Sequence, residues 1–230
     1  MRTQFSVDQI YDTLEEEIVR LQIKPNDVLG ENSLAKRFNV SRTPIRSALL
    51  RLEDNGFVKI IPGKGTFVMP ISMDIASEII YLRVAVESMI LRDFIRSASP
   101  TERESVRYAF EQMKEIAKEK DDLSSFDINL FLQKDLEMHR IWFESSKKLY
   151  IWNLITKPHP DYSRFIRLDI VGAKNVPDVM EDHGKMMDMI DNKSTDGLED
   201  LMTRHLYGGV RRLGSKLFSD EYRNYFQRSF

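Results

Sequence analysis

Residues 30–68, GENSLAKRFNVSRTPIRSALLRLEDNGFVKIIPGKGTFV, decide the reading of this chain. In order they read as a helix, a tight turn, a second helix with capping residues, and a glycine-tipped β-hairpin, which is the order of a DNA-reading winged helix-turn-helix. In the second helix Ser41 or Thr43 can cap the N-terminus, Pro44 is tolerated in the first turn, and Gly56 stops the helix after Asn55. Ile45, Ala48, Leu49 and Leu52 recur at helical spacing and form an inward face. Arg42, Thr43 and Arg46 fall on the other side near the N-terminus, where a recognition helix presents side chains to base edges and phosphates. An arginine fork binds guanine edges or phosphate oxygens bidentately, and a base contact is worth roughly 1–3 kcal/mol of discrimination. Either arginine can take the base-reading role. Residues 57–61 and 66–68 suit short strands, and Pro62-Gly63-Lys64-Gly65 between them places Lys64 at a wing tip. From Glu31 to Val68 there are seven Lys or Arg against three Asp or Glu, on a chain with a formal net charge of −2. The same geometry also serves protein docking, but basicity gathered on this segment favours DNA.

Ser41-Arg42-Thr43-Pro44-Ile45-Arg46, Ala48-Leu49, Leu52, Gly56 and Gly65-Thr66-Phe67-Val68 resemble the GntR family of bacterial transcription regulators. The resemblance implies that Ser41, Arg42, Thr43 and Arg46 contact DNA, with Gly63 and Lys64 of the wing entering a groove or touching backbone. Ser47 departs from the family pattern, which usually has an acidic residue there.

Upstream, Phe5 to Ile23 reads as an amphipathic helix with Val7, Ile10, Tyr11, Leu14, Ile18 and Leu21 on one side, completing the small domain's core. No apolar run approaches the roughly 20 residues of a membrane span, and Met1-Arg2-Thr3 does not begin a secretory signal, so the protein is expected in the cytoplasm. With no cysteine there is no disulfide, no cysteine nucleophile and no thiolate zinc site. The 230 residues accommodate a winged-helix domain over 1–70 and a larger domain over 71–230. Beyond the break at Met69-Pro70-Ile71-Ser72, helical periodicity predicts helices near 73–98, 101–120, 124–145, 148–157, 160–172, 176–192 and 195–217. The fold class is therefore mainly α: a winged helix-turn-helix followed by an all-helical antiparallel bundle. Thr101-Glu102-Arg103-Glu104 after Pro100 marks a helix start, and Asp121-Asp122-Leu123-Ser124-Ser125 a break.

Three of the four histidines fall on apolar helix faces. Asp135 and His139, four apart, stack on one side of a helix in register with Leu132, Leu136, Trp142 and Phe143. His183 shares a face with Val179, Met186, Met187 and Ile190, and His205 shares one with Leu198, Leu201, Met202 and Leu213. Taken singly, each imidazole reads as a hydrogen-bonded core residue, and Met180, Met186, Met187 and Met189 as core filler. Taken together, three nitrogens and one carboxylate oxygen from three helices suit a divalent zinc, nickel, manganese or iron ion, with positions left for water or a ligand.

Residues 72–217 are similar to the FCD ligand-sensing domain of the FadR subfamily, a helical bundle that often holds a metal through one Asp and three His. The resemblance assigns Asp135, His139, His183 and His205 to the metal. Two positions depart from the pattern, Lys147 for a common Asn and Ser194 for an acidic residue. Arg83, in Tyr81-Leu82-Arg83-Val84-Ala85-Val86-Glu87, matches the arginine of the first sensing helix, where it meets a carboxylate effector or pairs with an acidic neighbour. Arg164 and Arg167 are further candidates for holding an anion beside the metal, with a solvated helix face as the alternative. His159, between Pro158 and Pro160, reads as a loop residue outside the site.

The function expected is a DNA-binding transcription regulator, a homodimer on a pseudo-palindromic operator, whose affinity responds to a small organic acid at the metal. Two other classes stay open: a metalloregulator in which the metal is the signal, and a metal-dependent hydrolase, for which no general base or substrate cleft is evident. The aromatic tail Ser219–Phe230 is expected to pack as a last half-turn.

Overall fold

The computed structural model describes residues 5–118, 126–172, 175–214, 217, 219–220 and 222–227. The break read at Asp121–Ser125 and the segment Met1–Thr3 lie outside these residues. The chain divides into two compact units, one comprising residues 1–76, 158–167 and 215–230, the other residues 77–157 and 168–214.

In the first unit α1 (Val7–Val19) starts at Ser6, whose hydroxyl accepts from the Gln9 amide while the Gln9 side chain accepts from the Ser6 amide. That reciprocal pair satisfies two of the amides a helix start leaves open. The helix ends before Leu21, which was expected on its apolar face; Leu21 instead turns the chain at φ +58°. α2 (Glu31–Phe38) ends on left-handed Asn39, and α3 (Arg42–Asp54) follows after Val40 and Ser41. Ser41 takes the cap position with its hydroxyl unbonded to the helix, and Thr43 lies inside the helix rather than capping it. Gly56, at φ +78°, reverses the chain after Asn55, a conformation that favours glycine.

The wing is β2 (Val58–Ile61) against β3 (Gly65–Val68), antiparallel, with Val58 opposite Val68 and Ile61 opposite Gly65. A two-residue β1 (Val28–Leu29), absent from the sequence reading because it is too short to show alternation, pairs with the far edge of β3 and gives the order β1-β3-β2. Ile10, Leu14, Ile18, Ile45, Leu49, Leu52 and Phe57 fill the core beneath, each 0–1% exposed.

The same unit includes Pro158–Arg167 and the chain's end. Ile71 donates its amide to Tyr225 and accepts from the Gln227 amide, so the tail adds a parallel bridge to the connecting segment, and Tyr222 is buried. On its other side the segment is tied by Asp161, which accepts from the Ser72 amide at 2.7 Å, and by Arg164, which donates to the Met69 carbonyl.

The second unit is all helical. It holds most of α4 (Met73–Ser97), with α5 (Pro100–Ala117), α6 (Ile128–Ser145), α7 (Leu149–Ile155), the end of α8 (Tyr162–Gly172), α9 (Val176–Asn192) and α10 (Leu198–Leu213). α5 packs on α6 and α9, and α9 packs on α10. Ser99 and Glu102 form the capping box that starts α5 one residue earlier than expected, with Pro100 in its first turn. Asp127 caps α6 by accepting from the amides of Asn129 and Leu130. Among the described residues no helix is long and apolar enough to cross a membrane.

Candidate metal centre and nucleic-acid interface

α3 buries Ile45, Ala48, Leu49 and Leu52 and so turns Ser41, Arg42, Thr43 and Arg46 to solvent. Gly63 and Lys64 are exposed at the wing tip, where the Lys64 amide closes the turn on the Ile61 carbonyl. Both arginines share one carboxylate. Glu31 in the first turn of α2 accepts from Arg42 Nε at 2.9 Å and from Arg46 Nε at 2.9 Å. Hydrogen bonds from Arg46 and then Arg42 hold the Glu31 carboxyl below its ordinary pKa. Ser47, the departure from the family pattern, bonds back to the Thr43 carbonyl at 3.3 Å.

In the second unit the helices bring Asp135, His139, His183 and His205 together, with one ligand atom from each lying within 4.8 Å of the others. Capped α6 supplies the first two from successive turns, α9 the third and α10 the fourth. His139 and His183 are fully buried, His205 is 6% exposed and Asp135 18%. Leu136, expected to point inward with Asp135, is 37% exposed; the buried face of α6 runs through Phe131, Met138, His139, Trp142 and Phe143. Asp135 therefore sits at the rim of that face and reaches the cluster by its side chain, Oδ1 lying 3.3 Å from His183 Nε2.

Partners behind the rings fix their tautomers. Glu87 Oε2 is 2.5 Å from His139 Nδ1, and the Val179 carbonyl is 2.8 Å from His183 Nδ1. A carbonyl only accepts, and an ionised carboxylate only accepts, so both Nδ1 atoms donate, and in a neutral ring Nε2 is then the atom left with a lone pair. Burial pushes the Glu87 carboxyl up, but Arg83 on one side and His139 on the other outweigh it and hold its pKa at about 2. The two Nε2 atoms face each other at 3.1 Å, a separation at which they share either a proton or an ion. Nitrogens that share one ion at about 2.1 Å lie roughly 3.0–3.4 Å apart, so the spacing suits a common cation. Burial first, and neighbouring histidines after it, depress His183 to about 4 and His205 well below its usual value, keeping both in the neutral form that binds metal.

Arg83 takes the second role read for it and pairs with acidic Glu87, both buried. Glu87 itself was not singled out, although an Arg and a Glu four apart within the apolar run of α4 were a visible signal. Asp182 and Arg204 were also missed: each adjoins a cluster histidine, and they pair at 2.5 Å, tying α9 to α10. Arg164, expected either to hold an anion or to lie on a solvated helix face, is not on a solvated face. It is fully buried in the winged-helix unit, where its guanidinium donates to the Pro160 and Met69 carbonyls. Arg167 lies on the same segment of that unit. His159 stays outside the cluster, half-buried, its Nδ1 accepting from the Asp161 amide.

A winged helix-turn-helix with an exposed basic reading helix, joined in sequence to a helical unit built around buried polar side chains, defines a DNA-binding transcription regulator. Residues 6–68 match the family of bacterial regulatory proteins of the gntR type, and residues 78–208 match the FCD domain. The chain belongs to the GntR family and carries an FCD domain. It is similar to the HTH-type transcriptional repressor RspR of Escherichia coli (strain K12), 30% identical over 224 residues, 93% of each chain. An uncharacterized HTH-type transcriptional regulator, YdhC of Bacillus subtilis (strain 168), is 25% identical over 198 residues, 86% of each. The solved structure of E. coli McbR/YncC shares the fold, with a TM-score of 0.66 at 15% identity, covering 91% of this chain and 98% of that one.

Proposed function

We propose that this regulator senses a small organic acid at a divalent metal held by Asp135, His139, His183 and His205, and that binding of the acid changes its affinity for an operator. The observation that carries the reading is the convergence of four ligand atoms, one each from Asp135, His139, His183 and His205, within 4.8 Å of one another, with the Nε2 atoms of His139 and His183 facing each other at 3.1 Å. When bound, the ion would supply a Lewis-acidic charge able to take a carboxylate ligand. The donor set suits zinc, nickel, manganese or iron. His139 and His183 are oriented by Glu87 and Val179, Arg83 keeps Glu87 ionised, and Asp135 is the most exposed member of the cluster.

Ser41, Arg42, Thr43 and Arg46 contact the operator, and Gly63 and Lys64 of the wing support them. A homodimer presents two such helices to a pseudo-palindromic site. Tyr81, Leu82, Ala85 and Met89 stand exposed at helical spacing on α4 and suit its interface. The acid shifts the balance between dimer arrangements by the difference in its affinity for them. The relatives are named as transcriptional regulators.

The test is fluorescence-anisotropy titration of a duplex selected by the protein from a random library. It compares chelated protein, metal-loaded protein, and metal-loaded protein with a panel of small carboxylic acids. The reading expects the affinity to move with an acid only when metal is present. Full response to free metal alone would make the metal itself the signal.

A further inference from the structure

The winged-helix unit carries a negative charge where binding to a polyanion alone would call for none. Glu31 stands at the start of α2, 28% exposed, and its two oxygens accept from both arginines that α3 turns to solvent. We infer that Glu31 is a positioning residue that sets operator specificity, holding Arg42 and Arg46 as one fixed pair and lowering the affinity of that pair for DNA in general. The inference rests on the assignment of those arginines to the operator.

Two effects follow from the geometry. Long arginine side chains on an exposed helix start are otherwise free to swing toward any phosphate, and one carboxylate bridging both removes that freedom before DNA arrives. Both bonds from Arg46 to Glu31 leave through Nε, and the side chain is 58% exposed, so its terminal NH1 and NH2 groups stay available to a base edge. The second effect is charge. Two guanidinium groups and one carboxylate leave a single net positive charge at the reading edge, and the carboxylate repels phosphate. Sequence-independent binding, which scales with phosphates neutralised, is thereby weakened. A base edge that accepts from a fork already in place loses less, so the ratio of specific to general binding rises.

The experiment measures anisotropy of full-length wild type, Glu31→Gln, Glu31→Asp and Arg46→Ala on the selected duplex and on its scrambled counterpart, across a salt series, with circular dichroism melts of each. For Glu31→Gln the expected result is roughly 3- to 10-fold tighter binding to the scrambled duplex. Its specificity ratio should fall about 10-fold, and its slope of log affinity against log salt on that duplex should steepen by about one. Glu31→Asp keeps the charge but cannot reach both arginines, so its ratio should fall while its salt slope stays. An unchanged ratio in Glu31→Gln, with both affinities moving together, would overturn the positioning role. If Arg46→Ala leaves the ratio unchanged, the assignment of the reading helix fails first and takes this inference with it. If Arg46→Ala collapses the ratio and Glu31→Gln does not, only this inference fails.

Discussion

The two units place their charges in opposite ways. In the winged helix the arginines that matter stand in solvent, 53% and 58% exposed, and pair with one carboxylate at a surface where an ion pair contributes roughly 0–1 kcal/mol. In the helical unit Arg83, Glu87, His139 and His183 form a chain of polar side chains with no more than 6% exposure anywhere along it. There the desolvation of each ion costs several kcal/mol, and the loss of one member leaves the next uncompensated. Substitution on the reading helix is therefore expected to show in binding, whereas substitution in the buried chain is expected to show in stability and, with the proposed ion bound, in metal content.

The largest contrast lies in removal of the metal. A resident ion present at about 1,000 times its dissociation constant adds about 4 kcal/mol, so a chelator should lower the melting temperature by about 10 °C. His183→Ala should melt at the chelated value and ignore the chelator. A chelator-insensitive wild type would erase the contrast. Next comes Glu87→Gln, which keeps the shape of α4 but loses the charge behind His139; metal affinity measured by competition with a chromophoric chelator should fall roughly 10- to 100-fold. Affinity within 3-fold of wild type would show that the carboxylate does not orient the ring.

In the winged helix Arg46→Ala should cost roughly 10- to 100-fold in affinity for the selected duplex, the value of one good base contact, with the melting temperature within about 2 °C of wild type. A fall in melting temperature to match would place Arg46 in the fold instead. The smallest effect belongs to the wing tip. Lys64→Ala should weaken selected and scrambled duplexes alike and reduce the salt slope by about one. A selective loss on the selected duplex would give Lys64 a base-reading role.

The same contrast explains what could be read from the sequence. The winged helix is written locally: Gly56, Pro44, the glycines of the tip and the spacing of Ile45, Ala48, Leu49 and Leu52 act over a few residues, and each element appears where those signals put it. β1 escaped because two residues carry no period, and Leu21 because a helix end set by backbone conformation leaves no mark on an apolar pattern. The three histidines were legible as inward positions on three helices, Asp135 joins them from the rim of its face, and the structure brings the four together. Their supporting partners were less so. Glu87 lies 52 residues from His139, and the carbonyl of Val179 has no side-chain signature at all. Arg164 was harder to place, because an arginine on a partly apolar helix has the same pattern whether it awaits an anion, faces solvent or bonds a backbone carbonyl such as that of Met69, 95 positions away.

The central claim is that the buried cluster holds a metal. The most direct test is elemental analysis of untagged protein, purified without chelators, beside His183→Ala. One equivalent of zinc, nickel, manganese or iron per chain in the wild type, lost in the variant, is the predicted result. Wild type without metal above buffer background, and with no gain in melting temperature when any of the four ions is added, would contradict it.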